Sequence, residues 1–156
     1  MDALSHDIHE IAPTDPRVAD LIAAHLTLMR ASSPACSVHA MEAADLAAAG
    51  ARFFAVIDGE TAIAMGALKR LSDGGGEVKS MHVRADRRGL GLADRILAHL
   101  LGVAAEGGMD RVFLETGSQE VFGPARAFYA RHGFTVCPPF EGYTDDPNSV
   151  FMVRSV

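Results

Sequence analysis

The sequence predicts a mixed sheet combined with helices, an α/β (α+β) sandwich. Short apolar runs separated by tight turns come early: residues 53–57, then Asp58-Gly59, then residues 61–68, the pattern of an antiparallel hairpin. A later strand, residues 77–83, passes through a glycine-bearing turn into a long helical repeat, and another strand follows at residues 111–116. Strands that begin as hairpins and later alternate with helices make a mixed sheet with helices on its faces.

Asp7-Ile8-His9-Glu10-Ile11 alternates and reads as a first strand, closed before Pro13. Asp15-Pro16 opens a helix whose apolar stripe is Val18, Leu21, Ile22, His25, Leu26 and Met29, stopping in the small, polar residues 31–34. Ser37 is placed to cap a second helix that carries Met41 and Leu46 and ends at Gly50. After the hairpin, Asp73-Gly74-Gly75-Gly76 turns the chain into the strand at residues 77–83. The long helix follows, with Leu92, Ile96, Leu100 and Val103 at helical spacing, and Gly107-Gly108 ends it. After the strand at 111–116, a helix over residues 124–131 is closed by His132-Gly133, and residues 134–137 and 150–154 form the last strands.

The chain has 156 residues, enough for one domain, read as residues 1–156, with a core that needs no staples. Apolar residues make up 49% and charged residues 22%, so the composition is that of a folded globular chain. The formal net charge of −6 argues against a nucleic-acid or anionic-membrane surface as partner. Its densest apolar run is far shorter than the roughly 18 residues of a membrane span. The start, Met1-Asp2-Ala3-Leu4-Ser5-His6-Asp7, lacks the basic and apolar regions of a signal peptide. With only Cys36 and Cys137 there is no disulfide framework, and the expected location is cytoplasmic with both thiols reduced.

The turn Arg87-Arg88-Gly89-Leu90-Gly91-Leu92-Ala93 opens the long helix. A helix N-terminus presents unpaired N–H groups and a partial positive charge, which attract anions. Arginines at that positive end are unfavourable unless an anion lies between them and the helix. A plain turn with solvated arginines is the competing reading of this segment alone. A dinucleotide fingerprint requires a third glycine where Asp94 stands, and Lys79-Ser80 lies mid-strand without the glycine of a P-loop.

Arg88-Gly89-Leu90-Gly91-Leu92-Ala93, following Val78-Lys79-Ser80-Met81-His82-Val83, resembles the acyl-CoA signature R-x-x-G-x-G/A of the GNAT superfamily of N-acetyltransferases. A second block, Ala125-Arg126-Ala127-Phe128-Tyr129-Ala130-Arg131-His132-Gly133-Phe134, is similar to that family's A-x-x-[LF]-Y-x-x-x-G-F segment. The two blocks in this order, with a strand between, carry the resemblance over nearly the whole chain. It implies a GNAT-like mixed, mostly antiparallel central sheet flanked by helices, and acetyl-CoA as co-substrate. The amides of Arg88, Gly89, Leu90, Gly91, Leu92 and Ala93 would hold the coenzyme A diphosphate. The backbone of Met81 and Val83, with His82 between them, would pair with the pantetheine arm as an added strand. Ala125 and Phe128 would lie along that arm, and Tyr129 near the thioester sulfur. The chain departs from the family in carrying Phe122 where an asparagine is common, and Ser118 is the expected substitute for the missing polar contact.

An alkylamine with a pKa near 10 is protonated at neutral pH, so attack on a thioester needs a base. Glu77 opens the strand before the turn and Glu115 ends the neighbouring strand, and both can face a cleft between them. His82 is a third candidate by its near-neutral pKa, but simple alternation with Met81 and Val83 sends it to the opposite side. Tyr129 is the expected proton donor to the departing thiolate. Cys36 and Cys137 read as inert thiols, and the scattered histidines lack metal-ligand spacing, so no metal is expected. His39 falls where this fold would line an acceptor pocket, and the acidic loop with Glu141, Asp145 and Asp146 could draw in a cationic amine. The expected activity is direct acetyl transfer, in a ternary complex, to a primary amine, a small metabolite or amino-acid-like acceptor. The alternative is a non-catalytic acyl-CoA-binding sensor. A homodimer through a sheet edge is compatible with either.

Overall fold

A computed structural model describes residues 6–156. The N-terminal residues 1–5, read above as carrying no leader, lie outside the described residues. Seven strands form one sheet in the order β1-β2-β3-β4-β5-β7-β6. The strands are β1 (Ile8–Glu10), β2 (Arg52–Asp58), β3 (Thr61–Arg70), β4 (Gly76–Val83), β5 (Arg111–Gly117), β6 (Thr135–Cys137) and β7 (Ser149–Ser155). Every neighbouring pair is antiparallel except β4 and β5, which are parallel. That parallel step requires a crossover, which α3 (Leu92–Glu106) supplies.

The helices divide between the two faces because the strand residues alternate. Phe54, Val56, Leu68, Val78, Val112 and Leu114 pack against Leu92, Ile96, Leu97 and Leu100 of α3 and Tyr129 of α4 (Gly123–Arg131). Phe53, Ala55, Ala62, Met65 and Ala67 turn the other way, onto Leu21, Ile22 and Leu26 of α1 (Ala19–Ser32) and Leu46 of α2 (Ala43–Ala48). A third cluster of Leu71, Phe113, Phe140 and Phe151 seats the β6–β7 connection.

Most expected elements are present within a residue or two, with two informative departures. The chain turns helical at Asp15-Pro16 as anticipated, with Asp15 accepting from the Arg17 amide at 2.9 Å, but the first turn, Pro16–Val18, is a 3₁₀ turn before α1 begins. Ser37 does not cap α2. It lies in the turn Ala35–Ser37, and its hydroxyl donates to Asp146 Oδ2 at 2.5 Å, leaving Glu42 in the N-cap position. The hydroxyl finds a carboxylate from a distant loop, a stronger acceptor arrangement than helix amides alone provide.

Candidate active site

β4 and β5 pair only over Gly76–Val78 and Val112–Leu114, although β4 continues to Val83 and β5 to Gly117. Beyond Val78 the two strands part, and the backbone edge of residues 79–83 facing β5 has no strand partner among the described residues. The opening is a cleft of about 610 Å³ lined from both faces of the sheet. Tyr129, Phe128 and Ala125 lie on the α3 side, and Glu77, Glu115, His82 and His25 on the α1 side.

A bulge in β4 decides which side chains reach it. Met65 pairs with His82 while Ala67 pairs with Lys79, so Ser80 and Met81 together face the single residue Gly66. Ser80 takes a left-handed φ of 57° to do this. The extra residue resets the alternation: Met81 and Val83 pack into the α3-side core, and His82 joins Glu77 and Lys79 on the α1 side. The expectation that His82 faces away from Glu77 is therefore corrected. No glycine marks the bulge in β4. The glycine stands opposite, since a Cβ on Gly66 would lie 2.6 Å from Ile96 Cγ2 and 2.7 Å from Met81 Sδ.

At the start of α3, Gly89 and Gly91 have φ of 79° and 77°, and nothing lies within 4 Å of where their Cβ atoms would be. The left-handed turn thus leaves an open cradle around the first helical amides, the fit an anionic diphosphate requires. Arg88, Gly89, Gly91, Leu92 and Ala93 line the cleft, whereas the Leu90 side chain is exposed outside it. Arg87 also lines the cleft but is committed to an ion pair with Asp58 in the β2–β3 turn. Arg88 has no ion-pair partner among the described residues, so only one of the two arginines carries an unmatched charge. Asp94 in the first turn of α3 meets His132 Nε2 at 2.8 Å, which ties α4 to this end of α3.

Among the carboxylates the two candidates differ. Glu77 is 2% exposed, and its Oε2 accepts from the Tyr143 hydroxyl at 2.6 Å and from Lys79 Nζ at 3.2 Å. Lys79 Nζ also donates to the Tyr143 oxygen at 3.1 Å. Glu115 has no ion-pair partner among the described residues. Burial pushes its carboxyl up to about 7, with Glu77 and Asp146 adding to the rise and the Ser149 hydroxyl and Lys79 opposing it. His25 Nδ1 lies 3.1 Å from His82 Nδ1, and burial lowers both rings, His25 to about 4. Tyr129 is buried apart from what it shows to the cleft, and burial makes its phenol less acidic.

Ser118 is not in the cleft lining. Its hydroxyl donates to the Pro147 carbonyl at 2.6 Å, and at the asparagine position the buried Phe122 lines the cleft instead. The acidic loop is spent largely on structure: Glu141 accepts from the amide and hydroxyl of Ser72, and Asp146 from Ser37 and from the Asn148 amide at 2.8 Å. Lys79 and Tyr143 were not expected at the site. Lys79 reads as an ordinary strand residue until β4 and β5 diverge, and nothing local marks Tyr143, which reaches Glu77 from 66 residues away. His39 lines the cleft, edge-on to Tyr143 with ring centres 5.0 Å apart. Cys36 is exposed and Cys137 partly buried, and the two form no disulfide. Among the described residues no group of three or more His, Cys, Asp or Glu could hold a metal, and no helix is long and apolar enough to cross a membrane.

Residues 18–134 match the Acetyltransferase (GNAT) family. The chain is 38% identical over 143 residues to the uncharacterized N-acetyltransferase YsnE of Bacillus subtilis, covering 92% of this chain and 95% of that one. It is 40% identical over 139 residues to the uncharacterized N-acetyltransferase YedL of Escherichia coli, covering 89% and 87%. A Klebsiella pneumoniae structure described as an acyl-CoA N-acyltransferase superposes with a TM-score of 0.78 at 28% identity, over 99% of both chains. With its parted parallel strands and open glycine turn, the chain belongs to the GNAT family and is an acetyl-CoA-dependent acyltransferase.

Proposed function

We propose that the enzyme moves the acetyl group from acetyl-CoA directly to a small primary amine, both substrates being held together in the cleft, with Glu115 as the base. The observation that carries this reading is the state of Glu115. A half-buried carboxyl with a pKa of about 7, bordering the cleft and outside any ion pair, is matched to taking a proton from an ammonium at neutral pH. Glu77 is the weaker candidate because a cation and a phenol already occupy its Oε2.

The amides of residues 88–93 would hold the diphosphate and the free edge of residues 79–83 the pantetheine arm, leaving the thioester between the two faces of the opened sheet. Acetyl-CoA supplies an acyl group on a good leaving thiolate. The amine nitrogen forms a bond to the carbonyl carbon, the carbon–sulfur bond breaks, and Glu115, directly or through water, takes the proton the nitrogen loses. Tyr129, reaching the cleft from the opposite face to Glu115, hydrogen-bonds the departing sulfur. Because burial makes its phenol less acidic, Tyr129 keeps its proton, and the thiolate is reprotonated from water. Among the described residues none has the paired nucleophile and base that a covalent acetyl-enzyme would require.

The test is release of coenzyme A thiol against pH, with a panel of amines. Wild-type kcat/KM should rise through about pH 7. Glu115→Gln should lower it on the order of 100-fold or more and flatten that rise. A Glu115→Gln enzyme with the wild-type rate and pH profile would overturn the assignment.

A further inference from the structure

The Glu77–Lys79–Tyr143 cluster has no part in the transfer step, yet it forms one wall of the acceptor end. Among the cleft-lining residues Lys79 is the one lysine or arginine outside the turn before α3 and outside α4. Its charge is matched at 3.2 Å by Glu77, with side chains only 10% and 3% exposed. The Tyr143 hydroxyl donates to the same Glu77 oxygen and accepts from Lys79, so the pair is held in one arrangement. His25 and His82 contribute no positive charge at neutral pH, since burial holds both rings below their ordinary range. Glu115 adds a negative charge when it is ready to act, and Asp146 on the neighbouring loop accepts from Ser37 and the Asn148 amide and interacts with His39. Lys79 stands against Glu77 and the His39 ring, which also lines this end, stands against Asp146, so the acceptor end offers no unmatched cation and gains the charge of Glu115. Its remaining wall includes Leu28, Met29 and Val38. The segments that carry Val38 and Tyr143 are tied across the pocket by Ser37 to Asp146 and by Asn148 Nδ2 to Ser37 Oγ at 3.4 Å.

We propose that the acceptor is a small alkyl- or arylalkylamine without a carboxylate beside the amine, and that the Glu77–Lys79 pair excludes amino acids. The inference rests on the amine-acceptor reading above. A carboxylate on the carbon next to the amine would enter a low-dielectric pocket that holds Glu115 and a lysine already neutralised, where like charge is costly. The amine's apolar body meets the aliphatic wall instead.

Two matched pairs test it: tyramine against tyrosine and isoamylamine against leucine, each followed by thiol release with acetyl-CoA. The decarboxylated member should have the higher kcat/KM by about tenfold or more in both pairs. Glu77→Gln, which leaves the Lys79 charge unmatched, should narrow that gap by raising use of the amino acid. Should that variant fail to fold, Tyr143→Phe removes one of the two hydrogen bonds to Glu77 and should narrow the gap less. Amino acids used as well as or better than their amines would overturn the charge argument and leave amine transfer standing. Acetylation of a hydroxyl or thiol compound, with all four amines refused, would overturn the amine reading itself.

Discussion

Glu77 and Glu115 look equivalent along the chain, each a carboxylate at one end of a neighbouring strand, and only their surroundings separate them. Lys79 lies two residues from Glu77 and faces the same way, a proximity the sequence displays, but Tyr143 completes the cluster from a loop no local pattern could aim. Burial leaves Glu115 with a carboxyl that loses its proton near pH 7 rather than near 4.5. The folded protein then binds that proton more tightly than the unfolded chain, so this residue's contribution to stability is full below about pH 4.5 and is lost as pH rises through about 7. The loss amounts to about 3 kcal/mol at most, by the usual conversion of a pKa shift. Glu115→Gln should therefore melt at a higher temperature relative to wild type near pH 8 than near pH 5, measured by calorimetry at both. Tyr129→Phe should behave differently. It should lower kcat by about 10- to 100-fold, the worth of one hydrogen bond to a charged group, while KM for acetyl-CoA stays nearly constant. A variant that loses acetyl-CoA affinity instead would make Tyr129 a binding residue.

At the scale of elements, two glycines serve opposite purposes, and substitution separates them. Gly66 faces a crowded contact: an added methyl meets Ile96 and Met81 and must push α3 or β4 aside. Gly66→Ala should cost about 1–3 kcal/mol of stability, read as a lower denaturant midpoint. Gly91 has open space around it but a φ of 77° that a Cβ resists. Gly91→Ala should cost about 1–2 kcal/mol and loosen the first turn of α3, so acetyl-CoA binding weakens alongside the modest drop in stability. The turn at Gly91 was legible because its glycines stand in the block Arg88 to Ala93, which resembles the family signature and is followed by a second matching block; the glycines alone left a plain turn open. The β4 bulge was not, because Ser80 adopts its left-handed conformation for a register that only the pairing with β3 imposes. Ser118 and Ser37 were misplaced for a related reason: a hydroxyl bonds whichever acceptor the tertiary fold brings to it, here Pro147 and Asp146.

Across the whole molecule, the parted strands are the feature from which the others follow. The apolar runs 53–57 and 61–68 on either side of Asp58-Gly59 were enough to foresee a hairpin, and the strand–helix–strand order from residue 77 to residue 116 was enough to foresee a mixed sheet. Neither says that the parallel pair stops hydrogen-bonding after Val78 and Leu114. That opening leaves backbone groups on β4 without a strand partner and gives the sheet a weak seam between its two halves, β1–β4 and β5–β7. A ligand whose arm bonds to residues 79–83 and whose diphosphate sits on residues 88–93 fills the seam and acts on the whole fold by mass action. At 100 times its Kd it should stabilise the protein by about 2.7 kcal/mol. For a domain of this size that is a melting shift of roughly 5–10 °C. Acetyl-CoA and coenzyme A should both produce it and NAD should not, since the turn lacks the third glycine of a dinucleotide site. Hydrogen exchange supplies the finer test. Coenzyme A should slow exchange of the amides in residues 79–83 and 88–93 well beyond the general slowing that added stability brings. Equal slowing across β2 and β7 would mean that the ligand binds elsewhere than in the opening between β4 and β5.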